Sequence, residues 1–375
     1  MHPKPLVAKR RDRGLSLALT ALERLVDVGR PGPALPLDPP PRRIVVLRGC
    51  CLGDTLLATP LVGALRRAYP AAHIIAAVGR WSRPAVAGNP DLDGLLDLEG
   101  VGTGRVHPDA YLRVVRRLRA GRFDLALVLE RTPVLTVLPA LAGIPLRAGI
   151  DSAGRGFALN VRVPWTAVEH EAQLFLRVGE ALGIAVHDAV LRFIPTADAA
   201  SQAQALWTAH GLDGLPVAAL APGGGRNPGM TLAAKHWPPE RYAALAGLLS
   251  HRLGLRVILT GDMHDRETTA AVRRAMDPAT AARTIDLAGT TSLDTLGALL
   301  GRCVLFVGND SGPTHLAAAT GIPVVAIFGP TDPAVYRPYS PLAVALRGPH
   351  GQNTCEVSVD EVAAAAESLL AQATT

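Results

Sequence analysis

A series of short apolar runs, most closed by Gly, Pro, Asn or Asp, limits what this chain can become. They are "RIVVLR" (43–48), "HIIAAVG" (73–79), "FDLALVLE" (123–130), "VAALAPGG" (217–224), "RVILTG" (256–261), "VLFVGND" (304–310) and "PVVAIFGP" (323–330). Runs of this length, apolar throughout, suit strands buried on both faces of a parallel sheet. Between them lie segments of helical period: "GDTLLATPLVGALRRAYP" (53–70), "RVVRRLRA" (113–120), "PPERYAALAGLLSHRLG" (238–254), 265–276, "SLDTLGALLGRC" (292–303), 314–320 and the tail "VDEVAAAAESLLAQA" (359–373). Strand, helix, strand in succession gives βαβ units and an α/β fold. The pattern stops and restarts near residues 195–215, so two Rossmann-like domains with parallel sheets facing a central cleft are expected. Ligands then sit at the carboxyl ends of the strands.

The division expected is 1–41 as an N-terminal basic helix and Pro-rich linker, 42–200 as a first domain and 201–375 as a second. The last helix is free to pack back on the first. The linker is "RPGPALPLDPPPRR" (30–43). Ahead of it, Lys4, Lys9, Arg10, Arg11 and Arg13 precede "LSLALTALERLV", whose apolar run is short and broken by Glu23 and Arg24. A basic amphipathic helix fits better than a signal peptide, resting either on an anionic membrane surface or on the protein's own body. No run reaches transmembrane length, so a cytoplasmic place is expected, with peripheral contact at the inner face of the membrane allowed. Net charge is +6, which suits an anionic partner. Aromatics are only 4%, which argues against nucleic acid, since stacking platforms need them. Cys50, Cys51, Cys303 and Cys355 form no CxxC pair and read as reduced thiols, with neither a disulfide framework nor a zinc site.

Four stretches carry chemistry. In "VGNDSGPTHLAAATG" (307–321) a strand delivers Asp310, Ser311 and Gly312 to a helix start, with Thr314 and His315 one step in. Unpaired N–H groups and the helix dipole make an anion site there, unless the polar side chains merely cap the helix. "APGGGRNPGMTLAAKHWP" (221–238) offers Gly223 and Gly224 for close backbone approach to a phosphate, and Lys235 as a mobile point charge; the other reading is a flexible surface loop. "LRGCCLGDTLLATP" (47–60) puts Asp54 at a helix start, either as an N-cap carboxylate or as a general base, with Arg48 close by to orient it or to hold an anion. "ILTGDMHDRE" (258–267) supplies Asp265 and Glu267, able to accept ribose hydroxyls or to favour a helix dipole. Arg113 and Arg117 share a helix face and are either solvated or placed for an anionic acceptor.

In this order the stretches resemble glycosyltransferase family 9, the ADP-heptose:lipopolysaccharide heptosyltransferases, over roughly residues 42–340. The resemblance implies the GT-B fold, with acceptor bound mainly by the first domain and nucleotide sugar by the second. It implies an inverting, metal-independent transfer from ADP-heptose to a lipopolysaccharide-core or other envelope glycan, without cofactor. Asp54 matches the family's base and Lys235 the lysine on the donor diphosphate. Asp310, Ser311, Gly312 and His315 lie on the donor loop, and Asp265 or Glu267 falls near the ribose. Cys50 and Cys51 replace the more usual polar or acidic residues of their turn. The alternatives are a GT-B transferase or epimerase using another nucleotide sugar, and a non-catalytic ADP-sugar-binding protein.

Overall fold

The structure, a computed structural model, describes residues 37–103, 107–166, 168–224, 226–227 and 230–373. The expected basic helix and the first half of the Pro-rich linker lie outside these residues. Among the described residues no helix is long and apolar enough to cross a membrane. The chain forms two compact units, one ending at Val190 and the next starting at Leu191. A boundary at 200/201 would have cut the Ala197–Ala209 helix, which belongs whole to the second unit.

The first unit holds six parallel strands: β1 (Arg43–Arg48), β2 (His73–Val78), β3 (Gly94–Asp97), β4 (Leu125–Val128), β5 (Leu146–Asp151) and β6 (Val161–Pro164). Their order is β3-β2-β1-β4-β5-β6. Ile44, Val45, Val46 and Leu47 of β1 are essentially sealed from solvent, each contributing about 1.5–3 kcal/mol of burial. The helix expected over 53–70 is two, Leu52–Leu57 and Thr59–Ala68. Pro60 has no N–H for the Leu56 carbonyl, and the Thr59 hydroxyl supplies the missing donor at 2.7 Å.

The second unit repeats the plan with β7 (Val217–Ala221), β8 (Arg226–Asn227), β9 (Met230–Thr231), β10 (Arg256–Leu259), β11 (Thr284–Asp286), β12 (Leu305–Asn309), β13 (Val324–Phe328) and β14 (Ala343–Arg347). The six-stranded sheet runs β11-β10-β7-β12-β13-β14, and β8 and β9 pair as a small hairpin. The Val359–Ala373 helix packs on the Pro239–Arg252 helix and on β13 and β14, within its own unit. Its apolar face, with Val362, Ala363, Ala366 and Leu369, joins the core of this unit.

Both sheets have the doubly wound order, so each has one switch point where the connections leave in opposite directions. In the first unit it lies between β1 and β4, and in the second between β7 and β12. The crevice such a point opens beyond the strand ends is where a ligand is held.

Candidate functional site

At the first switch point, Arg48 ends β1 and Glu130 and Arg131 follow β4. Arg48 is only 11% exposed, and its guanidinium is shared out. Nη2 meets Asp54 Oδ2 at 2.7 Å, while Nη1 donates to the Leu129 carbonyl at 2.7 Å and faces Glu130 Oε1 at 3.2 Å. The same Oε1 accepts the Gly49 N–H at 2.9 Å. The Phe175 ring lies 5.4 Å from the guanidinium carbon. Burial opposes the Arg48 charge, but Glu130, Asp54 and Glu171 together raise its pKa above the ordinary value, so it stays a cation. Asp54 sits in the first turn of the Leu52–Leu57 helix and keeps 21% exposure. Its Oδ1 has no partner among the described residues.

Glu171, the first residue of the Glu171–Glu180 helix, is 2% exposed and ion-paired with Arg131, which stacks 4.3 Å from the Trp165 ring. Burial pushes the Glu171 carboxyl up, against the pull of Arg131 and Arg48. Arg48 Nε, Arg131 Nε and Glu171 Oε2 are buried without hydrogen-bond partners. Such atoms are rare in folded proteins and collect at functional sites. Glu130, Arg131, Glu171 and Phe175 escaped the sequence reading because only strand order brings them here. "VLE" at the end of the third apolar run was the one available sign of Glu130.

Between Arg48 and Asp54 the structure joins Cys50 and Cys51 as a disulfide, with Cys51 at φ 73°. This corrects the expectation of two free thiols. An extended segment would have turned the side chains apart, and the left-handed backbone at Cys51 brings them to one side. Cys303 and Cys355 are free.

Arg113 and Arg117 stand elsewhere on this unit, and each makes a 2.7 Å ion pair with Glu99. Glu99 and Arg117 line a cavity of about 470 Å³ with Arg80, Asp97 and Gly100, off the ends of β2 and β3. The acids there offset much of the positive charge expected to draw an anion.

At the second switch point, Asn309 ends β12 with no solvent exposure. Its Oδ1 accepts from the Trp237 N–H and the Tyr242 hydroxyl, both at 3.0 Å. Its Nδ2 donates to the Pro222 and Gly223 carbonyls at 2.9 and 3.0 Å. The glycine stretch 222–224 is therefore pinned. Gly224 N–H reaches Asp265 Oδ1 at 3.3 Å, and the Gly224 carbonyl meets His236 Nε2 at 2.7 Å. A Cβ on Gly223 would lie 2.2 Å from the Asp265 carboxyl, and Gly224 holds φ +95° against Ser311. Glycine is required at both.

Lys235 is not a mobile charge. Its Nζ lies 2.6 Å from Asp310 Oδ2, which also accepts the Thr331 hydroxyl. None of the polar side chains after β12 caps the Gly312–Ala319 helix. Asp310 holds Lys235, the Thr314 hydroxyl donates to the Asn309 carbonyl, and Ser311, at the cap position, makes no capping bond. Ser311 Oγ is buried without a partner. Asp310 N–H goes to Ile327 and Thr314 N–H to Ser311, and Pro313 has none. The amide cradle expected over 310–314 thus reduces to Ser311 and Gly312. His315 is buried one turn inside. Asp265 spends its oxygens on backbone N–H groups of Gly224 and Asp262, so it shapes the loop. Glu267 lies exposed on the Arg266–Ala275 helix.

A doubly wound plan used twice over, with chemistry gathered at each switch point, is the plan of the GT-B glycosyltransferases, and comparison with known proteins places the chain among them. A solved glycosyl transferase family 9 protein from Veillonella parvula DSM 2008 superposes with TM-score 0.75 at 26% identity, covering 88% of this chain and 97% of that one. E. coli ADP-heptose lps heptosyltransferase II gives 0.74 at 25% identity, covering 89% and 100%. Lipopolysaccharide heptosyltransferase 2 of Escherichia coli K12 is 29% identical over 81% of this chain and 88% of its own length. The model of glycosyltransferase family 9 (heptosyltransferase) matches residues 111–365, and the chain belongs to that family. It is a glycosyltransferase.

Proposed function

We propose that the protein transfers a heptose from ADP-heptose to a sugar hydroxyl of a lipopolysaccharide-core glycan, with inversion and without a metal ion. The donor and acceptor classes are those in the names of its relatives. The observation that carries the chemistry is the half-held carboxylate of Asp54. Arg48 takes Oδ2, and Oδ1 is left to accept a proton from the attacking hydroxyl.

One carboxylate acting as base suits a single displacement: the acceptor oxygen enters opposite the departing ADP, and the anomeric centre inverts. As the sugar–phosphate bond breaks, negative charge grows on the diphosphate. Lys235, with one hydrogen to spare beyond its two bonds to Asp310, and the N–H groups of Ser311 and Gly312 are the donors suited to it. These groups supply the charge stabilisation that a divalent ion gives in other transferases, which is the basis for reading the reaction as metal-independent.

The test is mass spectrometry of products from ADP-heptose and heptose-deficient core acceptors, with and without EDTA. Asp54→Ala should lose at least about 100-fold in kcat, the contribution typical of a general base, and keep its ADP affinity. Wild-type turnover by that variant removes Asp54 from the mechanism. Product from another nucleotide sugar, but none from ADP-heptose, replaces the donor.

A further inference from the structure

The Arg48 guanidinium could grip Asp54 in two ways. A planar fork next to a carboxylate prefers two parallel bonds, which would occupy both oxygens. Here it makes one. Nε lies buried on the same edge as Nη2 without a partner. Something holds the fork back. Its far corner, Nη1, is fixed by the Leu129 carbonyl at 2.7 Å and by Glu130 Oε1 at 3.2 Å. Glu130 is itself anchored, because Oε1 accepts the Gly49 N–H at 2.9 Å, just past the end of β1. Its residue is 8% exposed, so water screens the pair little.

We propose that Glu130 is a positioning residue for transfer: by tying Gly49 and Arg48 Nη1 to one oxygen, it restricts Arg48 to a single bond on Asp54 Oδ2 and leaves Oδ1 for the acceptor's proton. The inference rests on the reading of Asp54 as the base. Without the Glu130 charge, the enclosed guanidinium has Asp54 as its nearest anion and closes on it with both edge nitrogens. The base is then occupied and held more firmly as an anion. The other groups around the cluster are Glu171, paired with Arg131, and His170, whose Nδ1 accepts the Ala172 N–H.

The experiment is the pH dependence of kcat for wild type, Glu130→Gln and Asp54→Ala, with ADP affinity by calorimetry as the check on folding. For Glu130→Gln, kcat should fall about 10- to 100-fold, the cost of a small misplacement of a catalytic group, while the donor KM and ADP affinity stay within about twofold of wild type. The acid limb of the profile should move to lower pH, since Asp54 loses a negative neighbour and gains a bond to its cation. A loss of mere structure would move no limb. If Asp54→Ala is inactive while Glu130→Gln keeps the wild-type profile and kcat, this proposal is overturned and the base assignment survives. If Asp54→Ala turns over normally, both fall. Should Glu130→Gln fail to bind ADP, Glu130→Asp is read in its place: the shorter arm keeps one of the two bonds, so the same shifts are expected at smaller size, and wild-type values overturn the proposal.

Discussion

Asn309→Asp tests the donor-side hub almost without a change of shape. In the native side chain Oδ1 takes two donors and Nδ2 serves two carbonyls, at 2.9 and 3.0 Å, in a site closed to solvent. A carboxylate would set an oxygen against the Pro222 and Gly223 oxygens at those same distances. It escapes by keeping its proton and donating to one of them. Holding that proton at pH 7 on an acid of ordinary pKa about 3.9 costs about 1.4 kcal/mol for each of roughly 3 units, or about 4 kcal/mol. The bond to the other carbonyl adds about 1 kcal/mol. The expected loss is about 5 kcal/mol at pH 7 and about 2 kcal/mol at pH 4.5, where only roughly 0.6 of a unit must be overcome. The sign follows from linkage: the introduced acid has a raised folded-state pKa, so the stability it keeps at low pH is lost as pH rises towards that value. Urea unfolding at both pH values, followed by tryptophan emission, reads the difference, since Trp237 packs edge-on 5.0 Å from the Tyr242 ring beside the substitution. A deficit equal at the two pH values, or below about 1 kcal/mol at pH 7, refutes the hub.

Two further outcomes are expected. Lys235→Ala should weaken ADP binding by at least about tenfold, because a partly buried charge-assisted bond is lost and Asp310 is left as an uncompensated anion beside the site; an unchanged dissociation constant from calorimetry contradicts the role. Unfolded without reductant, the chain should titrate thiols only at Cys303 and Cys355, with Cys50 and Cys51 joining after reduction. In the native protein Cys355 should alkylate first, since burial pushes the Cys303 thiol up to about 12 and the thiolate is the reactive form. Four reactive thiols before reduction would refute the disulfide.

The central strands were legible because their runs are apolar on both faces, as β1, β7, β12 and β13 are in the structure. Others were not: the edge strands β3 ("GLLD") and β14 ("AVALR") are half-buried throughout, and the inner strand β5 ("LRAGID") interrupts its apolar run with Arg147 and Gly149. The motif residues were legible for a similar reason, since each follows directly on a readable strand. Their partners were not. Gly49 and Glu130 lie 81 residues apart, and Trp237 and Asn309 lie 72 apart. Such pairs meet only once β1 lies beside β4 and β7 beside β12, and no local pattern encodes that order. A local reading therefore takes Lys235 as a single charge and finds for Asp54 only the neighbouring Arg48, while the fold presents each inside a balanced set.

That balance bears on what each switch point can do. The β1/β4 cluster contains Arg48 and Arg131 against Asp54, Glu130 and Glu171, all largely buried. On the proposed reading of Asp54 as the base, several charges serve there because a proton acceptor must be aimed, and a buried cation that aims it must be kept from consuming it. At the β7/β12 point the Lys235 charge is moderated by Asp310, and beside it lie backbone N–H groups and the Ser311 hydroxyl next to a pinned loop. A diphosphate spreads its charge over many oxygens, and fixed dipoles bind such a charge without a large desolvation cost on release. A full unpaired lysine would hold ADP more tightly after transfer, when it must leave. If the donor is an ADP-sugar, as proposed, the Asp310 counter-charge favours turnover over product affinity, and Asp310→Asn is the variant in which ADP should bind more tightly than in wild type while kcat falls. Weaker ADP binding in that variant, measured by calorimetry, would show instead that Asp310 serves to place Lys235.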